Sequence, residues 1–111
     1  MNKGLLLGGL LATILTASVG RITFNGHSET YYSLPMAKVV QRANSHYGIQ
    51  NVDWIAEDGC KMYGPFVIVA ADFNTYPYGS IVGTSRGLGI VLDTHTASNR
   101  GLIDIATTWR E

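Results

Sequence analysis

Apolar residues follow two different rhythms along this chain. Met36, Val39, Val40 and Ala43 recur at i, i+3, i+4 and i+7, with Lys38, Gln41 and Arg42 between them. That spacing lines one face of a helix and predicts an α-helix over residues 35 to 46, with Pro35 suited to its first turn and Gly48 to its end. Further on, Phe66-Val67-Ile68-Val69-Ala70-Ala71 is an unbroken apolar run, short and rich in branched side chains. It predicts a strand buried on both faces. Shorter strands are expected at 80 to 84, 89 to 93 and 102 to 106, separated by Gly, Ser and Asn, and two more within 21 to 32 and 52 to 61. Six short strands and one helix predict a mainly β domain, a small closed barrel that leaves no sheet edge exposed.

The first twenty residues follow neither rhythm. Lys3, an uncharged and mostly apolar stretch from Leu5 to Val19, and the small residues Ala17-Ser18-Val19-Gly20 stand in the order of an export signal. Residues 1 to 20 are therefore expected to be a signal peptide cut after Gly20, leaving residues 21 to 111 as a single domain. An uncleaved anchor is the alternative, although the stretch is shorter than the ~17 to 25 residues that usually span a bilayer. A core helix is the third reading.

Composition narrows the partners. Beyond residue 20, seven Lys or Arg face eight Asp or Glu, 7 − 8 = −1. No basic stripe recruits nucleic acid. Membrane contact is expected only through residues 1 to 20, if they are retained, and the domain is expected to be a monomer. Cys60 is the sole cysteine, so no internal disulfide staples the fold and the core must hold it. With no histidine close by in sequence, Cys60 reads as filler rather than nucleophile. His27, His46 and His95 are isolated from one another and lack a metal-binding spacing, so neither metal nor cofactor is expected. A chain this small hides only about 60 to 65% of its unfolded surface, which favours an open groove over a deep pocket.

Three aspartates stand beside strand-like apolar residues. They are Asp72 in Ala70-Ala71-Asp72, Asp93 in Leu92-Asp93-Thr94 and Asp104 in Ile103-Asp104-Ile105. A carboxylate at such a place is either a turn former or a site residue, because burying it unpaired is costly.

The spacing resembles the 3D (three-aspartate) domain family of lytic transglycosylases and small secreted Gram-positive cell-wall proteins. Ala70-Ala71-Asp72 followed by Tyr76-Pro77-Tyr78-Gly79-Ser80 matches the family's Ala-x-Asp and apolar-Pro-apolar-Gly-Thr. Leu92-Asp93-Thr94-His95-Thr96-Ala97 and Ile103-Asp104-Ile105 match its apolar-Asp-Thr-Gly-Gly-Ala and apolar-Asp-apolar, the two aspartates eleven positions apart. Three positions depart from it: His95-Thr96 replaces Gly-Gly, Asn99 stands where Lys is frequent, and Ala106 replaces an aromatic residue. Without the two glycines the groove there should be narrower.

The resemblance implies a double-psi β-barrel, exported to the bacterial cell wall, that cleaves the glycan strands of peptidoglycan. A lytic transglycosylase needs one acid/base, because a hydroxyl of the substrate's own muramic acid ring attacks and closes a 1,6-anhydro ring. Asp104 is the residue that the resemblance puts in that role. Asp93 and Asp72 would be its electrostatic neighbours, and Thr94, His95 and Tyr78 would contact substrate. Ile103, Ile105 and a nearby Asp93 would raise the pKa of Asp104. Other readings stand beside these. Asp72 can simply cap a turn, His95 can be an exposed loop residue, and most of the tyrosines and tryptophans can be packing. Asp93-Thr94 also resembles the catalytic loop of aspartic proteases, which would require a second copy of the loop. The same scaffold can also serve as a non-catalytic module that binds glycan or a wall partner.

Overall fold

The buried run Phe66–Ala71 organises the sheet. In the computed structural model, which describes residues 21 to 109, eight strands and one helix follow in the order β1 (Ile22–Phe24), β2 (His27–Tyr32), α1 (Ala37–Tyr47), β3 (Asp53–Ile55), β4 (Lys61–Tyr63), β5 (Phe66–Ala71), β6 (Ile81–Thr84), β7 (Gly87–Thr94) and β8 (Ile103–Ala106). The proposed signal segment, residues 1 to 20, lies outside the described residues.

β5 takes three partners. Along one edge it pairs in parallel with β7. Its other edge is divided, Phe66 and Val67 pairing with β4 and Val69 and Ala70 with β8. β8 continues in parallel to β2 and from there to β1, while β4 continues to β3 and β7 to β6. The sheet therefore forks at β5 instead of running round a ring.

This corrects the six-stranded closed barrel expected from the sequence. Two stretches each expected to hold one strand hold two. Residues 21 to 32 turn back at Asn25-Gly26, both at positive φ (48° and 81°), the residue pair that tight hairpins prefer. Residues 53 to 63 fold back likewise. No ladder joins β6 to β1 or β2. Side chains fill that gap: the Glu29 carboxylate accepts the backbone N–H of Ser85 and its hydroxyl, at 2.5 Å from Oγ to Oε1. Glu29 is fully buried and also contacts His27 Nε2 at 2.8 Å. Without an aligned backbone edge, one carboxylate ties β2 to the turn between β6 and β7.

The sheet is buried on both faces, as the β5 pattern predicted. Val67, Val69, Val91, Ile103, Ile105 and Tyr31 form one cluster with Cys60 and Met62. On the other face Ile68, Ile90, Leu92 and Ala106 meet Met36, Val39, Val40 and Ala43, the helical stripe read from the sequence. α1 ends at Gly48, left-handed at φ 68°, whose N–H bonds Asn44 O. Lys38, Gln41 and Arg42 are exposed. Each fully buried aliphatic side chain is worth roughly 1.5–3 kcal/mol. Two such clusters supply what the missing disulfide cannot. Among the described residues no helix is long and apolar enough to cross a membrane.

Candidate active site

Residues paired in register point to the same face of a sheet, and one position places two of the three aspartates. Ala70 pairs with Asp104 of β8 on one side and with Asp93 of β7 on the other. Strict alternation along β7 would prevent this. Val91 belongs to the first cluster and Leu92 to the second, so Asp93 should return to the first face. A bulge intervenes: Val69 pairs with Val91 but Ala70 pairs with Asp93, leaving Leu92 as the extra residue. Bulges re-aim side chains in this way, and they are frequent beside active sites. Here the bulge turns Asp93 onto the face that carries Asp104.

β2 supplies the other half of the site. Thr30 and Tyr32, two apart on one strand, share a face, and Thr30 is the register partner of Asp104. Thr30 Oγ1 donates to Asp104 Oδ1 at 2.8 Å. The Tyr32 hydroxyl donates to Asp93 Oδ2 at 2.9 Å, and the Thr94 N–H donates to Asp93 Oδ1 at 2.9 Å. Both oxygens of Asp93 are thus engaged. Asp104 has only Oδ1 engaged, and no hydrogen bond among the described residues reaches its Oδ2. Sequence reasoning placed neither Thr30 nor Tyr32 beside the aspartates. The available signal was the alternation of residues 27 to 32, which puts both on one face with buried Tyr31 pointing away between them.

The electrostatics follow from burial. Half-buried on the face opposite its neighbours Ile103 and Ile105, the Asp104 carboxyl is pushed above the usual aspartate value, first by desolvation and then by the charge of Asp93, while the Thr30 hydrogen bond and His95 pull it down. The Tyr32 phenol is pushed well above its ordinary value by burial and by the Asp93 carboxylate that it faces. It stays protonated and donates.

The remaining expected residues fall into other roles. Asp72 closes a turn: its carbonyl accepts Thr75 N–H and Tyr76 N–H at 3.0 and 2.8 Å, and its carboxylate accepts the Thr75 hydroxyl at 2.9 Å. Arg100 Nη1 lies 3.7 Å from the same carboxylate. No hydrogen bond joins Asp72 to Asp93 or Asp104. Thr94 acts through its backbone N–H. His95 is taken up by its own loop, with Nε2 2.8 Å from Leu102 O and Nδ1 accepting Ala97 N–H at 3.2 Å. Through these two contacts the ring braces residues 95 to 102. Tyr78 makes no hydrogen bond to the aspartates and stands edge-on to His46 at 5.1 Å and to Phe73 at 5.8 Å, its hydroxyl buried without a partner among the described residues. It packs against the helix cluster, as Tyr32 does.

Two clefts, of about 660 and 360 Å³, flank residues 49 to 51 after α1 and are lined by none of the three aspartates. No group of metal-binding side chains occurs among the described residues. No family model matches the chain, and no curated protein matches it either.

Proposed function

We propose that this is an exported, peptidoglycan-active protein that cleaves murein glycan strands in the manner of a lytic transglycosylase, with Asp104 as acid/base. The observation that carries the reading is the asymmetry of the carboxyl pair. Asp93 has donors on both oxygens, whereas Asp104 is desolvated, held at one oxygen and free at the other. A raised pKa favours the protonated form of Asp104, and its free oxygen can deliver that proton to the glycosidic oxygen. The carboxylate then takes a proton from the substrate hydroxyl as that hydroxyl closes the anhydro ring. Asp93 faces the positive charge that develops on the sugar. Resemblance to the 3D family supplies the substrate class. The double-psi arrangement belongs to the same proposal, supported by the two parallel ladders, β2 with β8 and β5 with β7. Its closing ladder is missing, and the Glu29 contact stands in that place.

A second reading is a non-catalytic module that binds glycan. The His95 brace favours it, since it fills the place where two glycines would leave the backbone open to a ligand. Incubation with purified sacculi separates the two. Falling turbidity and soluble glycan with the parent protein, and neither with Asp104→Asn, support cleavage; co-sedimentation without release supports binding alone.

A further inference from the structure

Thr30 and Tyr32 reach the two carboxyl groups from one strand, and they reach them unequally. Thr30 holds one oxygen of Asp104 at 2.8 Å, and Tyr32 holds Asp93 at 2.9 Å on the oxygen that the Thr94 N–H leaves open. The two donors are fixed relative to each other, because residues i and i+2 of a strand keep a constant spacing on one face. β2 is itself anchored in parallel register to β8, Thr30 opposite Asp104 and Tyr32 opposite Ala106.

We propose that Thr30 and Tyr32 are positioning residues that divide the labour of the pair: Tyr32 completes the set of donors that holds both oxygens of Asp93, and Thr30 orients Asp104 so that its second oxygen stays free. The chemical role of each carboxyl group rests on the proposed function, while the control of the pair by β2 stands on geometry and holds for any chemistry at this face. The titratable groups that face Asp104 are Asp93 from β7, His95 from the loop after it and Tyr32 from β2. A donor to a carboxylate favours its charged form, so removing one raises the pH at which that carboxyl titrates. The two hydroxyls therefore act on different carboxyl groups: losing Thr30 Oγ1 removes a donor from Asp104 and moves its titration further up, whereas losing Tyr32 Oη takes no donor from Asp104.

The test is a carboxyl-carbon NMR titration of the aspartate pair in the protein and in the near-isosteric variants Tyr32→Phe and Thr30→Val, with the amide spectrum reporting that each is folded. The expected result is an Asp104 step that rises by about half a pH unit or more in Thr30→Val and does not rise in Tyr32→Phe. A purely structural role would leave the Asp104 step unchanged or raise it alike in both. That result overturns the inference, and if one variant fails to fold, the sign of the shift in the other decides. Muropeptide release by the parent protein is followed in parallel. Predicted shifts without release support the positioning inference and count against the transglycosylase reading. Release with no shift in either variant does the reverse.

Discussion

Asp93 and Asp104 share one register partner, Ala70, and so stand on either side of it on a single face of the sheet. Ala70 is 2% exposed, so a larger side chain there has nowhere to go except into its neighbours or between the carboxyl groups. Ala70→Val is expected to cost about 1–3 kcal/mol through overpacking and to abolish glycan release. Urea denaturation and a sacculus digest measure the two effects, and a folded variant with parental activity would show that the space between the aspartates is not used.

Burial of Asp104 predicts a stability that depends on pH in an unusual direction. Its carboxyl holds a proton more tightly in the folded chain than in the unfolded one. Between the ordinary aspartate value near 3.9 and the higher folded value, the folded state binds more protons, so this residue's contribution weakens stability as pH rises. Asp104→Asn keeps an acceptor for Thr30 and removes the titration. The variant is expected to melt at a higher temperature than the parent above that window and at the same temperature below it. Melting curves at pH 3.5 and pH 7 test this, and a variant destabilised at pH 7 would contradict it.

Glu29 makes the opposite prediction. It is fully buried and links His27, the Ser85 N–H and the Ser85 hydroxyl across the gap that no ladder closes. Glu29→Ala strands those donors away from water and is expected to cost about 3 kcal/mol, with faster amide exchange at Ser85. Full retention of stability would mean that the edge is held by something else.

Cys60 is expected to be inert. It is wholly buried in the first cluster, and burial, reinforced by Asp58, pushes its thiol well above the ordinary value. A thiol reagent should therefore react only after denaturation, and rapid modification of the folded protein would refute that.

Much of this was legible in the sequence because it depends on local periodicity. The helical stripe of Met36, Val39, Val40 and Ala43, its stop at Gly48 and the doubly buried β5 all follow from spacing and residue type. The fork at β5, the parallel pairing of β2 with β8 and the unclosed edge are long-range matters that no local pattern encodes. The site divides along the same line. Asp93 and Asp104 announce themselves as carboxylates among apolar residues, yet their convergence depends on a bulge at Leu92 that alternation alone would not place. Thr30 and Tyr32 lie more than sixty residues before their partners. Asp72 fits the 3D pattern as well as Asp93 and Asp104 do and His95 departs from it, but the local backbone claims both, and a short motif cannot distinguish a side chain that faces a ligand from one that closes its own turn.

The most direct test of the central claim is the mass spectrum of the muropeptides released from purified peptidoglycan by the protein and by Asp104→Asn. The parent is expected to release glycan ends one water lighter than hydrolytic ends, the mark of an anhydro ring, and the variant to release none. Hydrolytic ends from the parent, or equal release by the variant, would contradict the assignment of Asp104 as the acid/base of a transglycosylase.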